Sequence, residues 1–364
     1  MLTPIVSCLD LAHPTEEQLC HLDEAWDCAT FGCNQEDVLD ETYRKAGKMD
    51  RGDFLIDFSP PESFLGLVRD ELLQRHDTRL VYDLYKLNVY GEQGFLLQPH
   101  KDTPRGSSFY GTLIVVFPAP HEGGQLVFSD PELGDWTVDA ASDILPNGKP
   151  HLVCIAFYGD VMHEVLPVTS GHRVTITWNI FTENDFPDAG PTPLVVLNYD
   201  EEPQEALSKL LEDERLCLRL LPNGGYLGFG LRYEYPVGER SELKPHHLKG
   251  GDSMIWRICE NLGLNASIVY LYGGDSHEDL WQELRKRDDA HFMLDYAVDM
   301  GPVEVENIME EFSDALVVRT AGTPRLFEYD DDEEEPEHEE SEVVWVTEYE
   351  KKSSRVAEKF GEQQ

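Results

Sequence analysis

Apolar residues recur at helical spacing twice near the start of the chain. From about Thr15 to Ala29, Leu19, Leu22 and Trp26 fall at i, i+3 and i+7, and from Pro61 to about His76 a stripe is formed by Phe64, Leu65, Val68, Leu72 and Leu73. Both patterns predict amphipathic helices. From Arg79 the period drops to two, predicting a strand through Leu80 to Tyr90 that ends at the turn residues Gly91 and Gly94. Further strands are predicted at 109–117, 125–128, 151–157 and 173–181, with Gly- and Pro-bearing breaks at 103–106, 118–124, 146–150 and 167–171. Many short strands with no alternating helices predict an antiparallel sandwich or barrel, not a doubly wound parallel sheet.

The texture changes near 184–193, a Pro/Asp/Gly-rich passage that reads as a linker. Beyond it the pattern is mixed, with strands expected at 194–198, 226–235 and 267–272 and helices at 203–216 and 254–262. The expected organisation is a helical flank over 1–78, a β core over 79–185 and a smaller α+β module over 194–364. Within that module, Glu328 to Glu342 holds eleven acids in fifteen residues, followed by the apolar patch Val343-Val344-Trp345-Val346. With Tyr329 its single aromatic, the acidic run is expected to form a mobile loop.

Composition narrows the partners. Lys and Arg number 29 against 71 Asp and Glu, a formal charge of −42 and a pI near 4.4. Such a field repels phosphate backbones and anionic lipid, so neither nucleic acid nor a membrane is an expected partner. No apolar stretch approaches the roughly 20 residues of a bilayer span, and the first residues lack the pattern of a signal peptide. Seven scattered cysteines without a C-x-x-C pair fit reduced thiols in the cytoplasm or nucleus.

The chemically informative segment is Gln98-Pro99-His100-Lys101-Asp102, with His163 following in Met162-His163-Glu164-Val165. On an extended chain His100 and Asp102 share a face, and a histidine from a later strand can complete the set. Two imidazoles and one carboxylate on one face of an octahedron leave three positions open, as non-haem Fe(II) oxygenases require. Arg173 opens a strand that is otherwise apolar and β-branched. A guanidinium there needs an anion, and its fork suits a carboxylate such as the distal one of 2-oxoglutarate. Thr175 shares its face, and Tyr90 ends its own strand where a phenol could reach the same carboxylate.

With His100-x-Asp102, Gly123-Gly124-Gln125-Leu126, His163-Glu164-Val165 and Arg173 in that order, the chain resembles the Fe(II)/2-oxoglutarate-dependent dioxygenases, within them the prolyl 4-hydroxylase-like branch. The resemblance covers about Leu80 to Phe181. It implies a double-stranded β-helix (jelly-roll) core, iron held by His100, Asp102 and His163, and 2-oxoglutarate held by Arg173 and Tyr90. It also implies O₂ as co-reactant and ascorbate as reductant. Collagen-type members carry Lys where this chain has Arg173, so the likeness is to the oxygen-sensing kind. A tyrosine that helps bind the cosubstrate there falls on Val116 here, leaving Thr112 or a threonine after Arg173, such as Thr175, to substitute. Related halogenases lack the carboxylate that Asp102 supplies, and related nucleic-acid demethylases carry a second arginine where Asn179 stands.

The expected function is hydroxylation of an unactivated C–H bond, on a prolyl or other peptidyl residue. The alternatives are the same chemistry on a small metabolite, or a non-catalytic jelly roll that binds a basic partner. Oligomeric state is not legible. His121 is expected as a hairpin-loop residue, His172 as structural, and Lys101 and Arg105 as part of a solvated loop near the cavity mouth.

Overall fold

A computed structural model of the chain describes residues 9–24, 27–28, 31–33, 36–38, 44–73, 79–92, 94–106, 108–130, 134–183, 200–212, 225–235, 242–272, 290–295, 316–323 and 340–347. The chain divides into two compact units, Met1–Phe186 and Pro187–Gln364. The expected linker at 184–193 and the strand at 194–198 lie outside the described residues. Among those described, no helix is long and apolar enough to cross a membrane.

The first unit opens with helix α1 (Glu16–Glu24). Thr15 and Gln18 start it with a reciprocal cap, the Gln18 N–H donating to Thr15 Oγ1 and the Thr15 N–H to Gln18 Oε1. The helix is shorter than its apolar spacing predicts. Asp27–Cys28 leave the helical path as β1, which pairs with Gly47 and Lys48 of β5. Between them run β2 (Phe31–Cys33), β3 (Glu36–Val38), β4 (Arg44–Lys45) and β5 (Gly47–Asp50). Helix α2 (Glu62–Val68) follows Pro61 and widens into a π-turn at Arg69–Leu73.

Ten further strands build the body of the unit: β6 (Arg79–Tyr90), β7 (Phe95–His100), β8 (Phe109–Val116), β9 (His121–Gly123), β10 (Leu126–Asp130), β11 (Gly134–Val138), β12 (Val153–Tyr158), β13 (Met162–Val165), β14 (Val168–Gly171) and β15 (Arg173–Glu183). Eight of them, all but β9 and β14, join β1, β4 and β5 in a six-stranded sheet ordered β1-β5-β6-β15-β8-β12 and a five-stranded sheet ordered β11-β10-β13-β7-β4. Every pairing in both is antiparallel. From β7 onward the chain steps alternately between the sheets, through β8, β10, β12, β13 and β15, which is the winding of a double-stranded β-helix.

The two-residue period sorts the side chains of the larger sheet. Leu87, Val89, Leu113, Val115, Val174, Ile176, Trp178 and Ile180 are buried together with Leu19, Val68 and Leu73 of the helical layer. The alternate positions of β15 carry Arg173, Thr175 and Asn179, all buried polar residues. One strand therefore presents an apolar face to the helices and a polar one to the opposite side.

Two segments expected as breaks are structured. Residues 118–124 and 167–171 contain β9 and β14, which pair as a two-stranded ribbon with Gly171 opposite His121. Glycine and proline punctuate such a ribbon as they would a loop, which is why the pattern hides it.

In the second unit, α3 (Glu201–Glu212), β16 (Tyr226–Phe229), α4 (Gly250–Asn261), β17 (Tyr270–Tyr272), β18 (Ala290–Leu294), β19 (Leu316–Thr320) and β20 (Glu340–Thr347) are described. The five strands form one mixed sheet, β16-β20-β19-β18-β17, so the unit is α+β. The strand expected over 226–235 stops at Phe229. Beyond it the N–H groups of Arg232 and Tyr233 donate to the Asp252 carboxylate at 3.0 and 3.2 Å, leaving the ladder. Arg257 grips Asp200 with two buried hydrogen bonds of 3.0 and 2.9 Å. The acidic run also ends earlier than expected. Glu340, Ser341 and Glu342 belong to β20, where Glu342 pairs with Arg319; the rest of the run lies outside the described residues.

Leu113 is fully enclosed on the helix-facing side of β8. Leu113→Ala is expected to lower the stability of the first unit by about 2–5 kcal/mol, read from its urea transition. A loss well under 1 kcal/mol would show that this face is not the core.

Candidate metal centre and anion pocket

His100 ends β7 and His163 stands on β13, directly opposite one another in an antiparallel pair. Cross-strand partners project to the same side, and the two rings lie with centroids 4.3 Å apart, tilted by 48°. Asp102 follows just after β7, its backbone N–H donating to the Gly159 carbonyl at 2.9 Å. That tether brings the carboxylate to the imidazoles. One ligand atom from each of His100, Asp102 and His163 lies within 4.8 Å of the others.

The donor set fits a single ion. With metal–N and metal–O bonds of about 2.0–2.2 Å, atoms on one ion sit about 3 Å apart when adjacent and about 4.4 Å apart at most. Three ligands on one side of an ion are all adjacent, so the side chains would draw together from within 4.8 Å to about 3 Å, a shift that rotamer adjustment can supply. His163 Nδ1 lies 2.9 Å from the Val161 carbonyl oxygen. A carbonyl only accepts, so Nδ1 carries the proton and Nε2 is left with its lone pair for a metal. Thr112 on β8 donates its hydroxyl to Asp102 Oδ2 at 2.5 Å, fixing the carboxylate. Apolar side chains close the back of the site. Phe157 meets the His163 ring edge-on at 4.7 Å, Phe128 is 6.3 Å from it, and Leu126, Val165 and Val168 pack with them.

Arg173 opens β15 on the polar face, paired in register with Tyr90 at the end of β6. It is 1% exposed, and its Nε and Nη2 have no hydrogen-bond partner. Its guanidinium carbon lies 5.4 Å from the centre of the Tyr90 ring. No carboxylate among the described residues pairs with it. Burial lowers its pKa, and the neighbouring Tyr90 opposes that shift. A buried cation lacking a counter-charge costs several kcal/mol, which an anion paired with it would recover. Room for the side chain comes from Gly124: a Cβ there would lie 2.7 Å from Arg173 Cδ, and the backbone sits at φ +69°. The Gly-Gly pair thus has a local physical role beside the arginine.

The other expected residues fall as follows. Thr175 is buried on the same face of β15 as Arg173, beside Val116 of β8. Thr112, expected at the cosubstrate, donates its hydroxyl proton to Asp102, a contact that the alternation along β8 alone does not reveal. Arg105 lies over the Tyr85 ring at 3.6 Å. His121, expected in a hairpin loop, is a correction: it stands on β9 and is only 9% exposed. Cys154 is half-buried, and burial raises its thiol pKa, as suits a packing thiol.

No family model and no curated protein matches the chain. Solved structures do. An oxidoreductase of the 2OG-Fe(II) oxygenase family from Burkholderia pseudomallei is 15% identical, covering 45% of this chain and 77% of its own, with a TM-score of 0.27. A prolyl hydroxylase from Trichoplax adhaerens, solved with a peptide fragment of the hypoxia inducible factor oxygen degradation domain, is 18% identical over 45% and 75%, TM-score 0.29. A prolyl-4-hydroxylase from Pseudomonas putida is 20% identical over 39% and 74%, TM-score 0.23.

Thr112→Val removes the proton that orients Asp102 while keeping the shape. Affinity for Mn(II) or Fe(II) is expected to fall about 10–100-fold with the far-UV circular dichroism unchanged. Equal affinity in a metal titration would remove Thr112 from the centre.

Proposed function

We propose that the first unit is an Fe(II)- and 2-oxoglutarate-dependent dioxygenase that hydroxylates an unactivated C–H bond of a peptidyl residue, prolyl among them. The observation that carries this reading is the convergence of His100, Asp102 and His163 in a unit that also buries Arg173 with no carboxylate partner among the described residues. In balance, substrate C–H, O₂ and 2-oxoglutarate become C–OH, succinate and CO₂, with ascorbate as reductant for the iron.

His100 and His163 would bind as neutral imidazoles and Asp102 as a carboxylate, three ligands on one side that leave the opposite side open. Bound there, Fe(II) supplies activation of oxygen coupled to decarboxylation of the 2-oxo acid. Arg173 would take the distal carboxylate of 2-oxoglutarate, with the Tyr90 phenol and the Thr175 hydroxyl as further partners. Phe157, Phe128 and Val165 would keep the centre dry. A second compact unit favours a macromolecular substrate, because a small molecule needs only the cavity and its loops.

Purified protein with Fe(II), ascorbate and 2-oxoglutarate is expected to form succinate, and Asp102→Ala or His163→Ala to abolish it. Turnover by both variants at the wild-type level would defeat the assignment. Mass spectrometry of a cell extract freed of small molecules should reveal a peptide heavier by one oxygen; oxidation found only among metabolites would move the substrate to a small molecule.

Arg173→Ala is expected chiefly to raise the KM for 2-oxoglutarate, by roughly a hundredfold for about 3 kcal/mol of charged hydrogen bonding. An unchanged KM would take Arg173 out of the cosubstrate site.

A further inference from the structure

At the proposed anion pocket, β9 and the first residue of β15 carry an acceptor and two donors that lack partners. His121 Nε2 and Arg173 Nε and Nη2 are all closed off from solvent without a hydrogen bond. The ribbon joins the two chain segments that carry them, and the Arg173 charge acts on the His121 ring. His121 stands opposite Gly171, two residues before Arg173, and a Cβ on Gly171 would collide with the Pro120 carbonyl at 2.1 Å.

The tautomer of His121 is set by its other nitrogen. Nδ1 lies 2.8 Å from the Ala119 carbonyl oxygen, which can only accept, so Nδ1 bears the proton and Nε2 keeps a lone pair. Nε and Nη2 of Arg173 form one edge of the guanidinium, and both are donors. Leaving such groups unpaired in a closed interior costs about 1–3 kcal/mol each.

We propose that His121 is a positioning residue for the anion pocket, its Nε2 lone pair accepting from the closed edge of Arg173 and so setting the plane in which the guanidinium meets a dicarboxylate. This rests on the 2-oxoglutarate reading above and names what holds the arginine for it. A neutral ring is required. Burial lowers the His121 pKa and the Arg173 charge lowers it further, against the Ala119 carbonyl and the Asp139 carboxylate. Arg173 from β15 and Asp139, just after β11, are the charged groups that act on the ring.

The test uses the full chain and two ligands. Glutarate has both carboxylates but no 2-oxo group to chelate a metal, so its binding to the metal-free protein reads the arginine end alone. 2-Oxoglutarate is titrated into Mn(II)-loaded protein without oxygen. His121→Phe keeps a ring without an acceptor and is expected to weaken both ligands about tenfold, whereas His121→Gln, which restores an acceptor, should lie within about threefold of wild type.

Equal binding by wild type and His121→Phe overturns the proposal while sparing the cosubstrate reading, and so does equal loss in both variants. Failure of wild type to bind either ligand overturns both. If His121→Phe does not fold, glutarate-bound wild type labelled with ¹⁵N decides. A coupling across the hydrogen bond between Arg173 Nε–H and His121 Nε2, or between Arg173 Nη2–H and His121 Nε2, is expected. Absence of both overturns the proposal.

Discussion

A positive charge sealed inside a protein is tolerated only where the surroundings are built for it, and Arg173 is the point around which the first unit is arranged. Its side chain is 1% exposed and faces no carboxylate among the described residues. Gly124 makes room for its methylenes, Tyr90 flanks it in register, and the β9–β14 ribbon closes around its base. The desolvation cost of such a group is several kcal/mol. Among the described residues nothing offsets it, which makes an anion the natural partner for this guanidinium.

The metal-ligand set obeys a different economy of parts. Two of its members are direct cross-strand neighbours and the third is two residues from one of them, so a single hairpin-like pairing of β7 with β13 brings all three together. Backbone carbonyls complete the arrangement: Val161 fixes a tautomer and Gly159 tethers the loop that carries Asp102. A centre built on ladder pairing is more rigid than one assembled from loops.

Much of this was legible in the residues. The two-residue alternation of β15, with Arg173 and Thr175 on one face and Val174 and Ile176 on the other, announces a strand divided between core and cavity. The spacing of His100 and Asp102 announces a shared face. Less legible was whatever depends on pairing at a distance. α1 ends at Glu24 because Asp27 finds a partner in Lys48, a contact that helical periodicity cannot register. The β9–β14 ribbon is disguised because Gly123 and Gly171 adopt positive φ, the usual mark of a turn. His121 was hidden with it, and Thr112 shows its bond to Asp102 only once β8 is placed behind the metal ligands.

β15 carries one more consequence, through its double allegiance. The residues that anchor it to the helical layer alternate with the buried polar ones, so strain on one side is felt on the other. The desolvation of Arg173 falls on the same strand that supports the core, and a ligand that relieves it would stabilise the whole unit by mass action. Resistance to proteolysis would then rise with the concentration of any anion that pairs with Arg173.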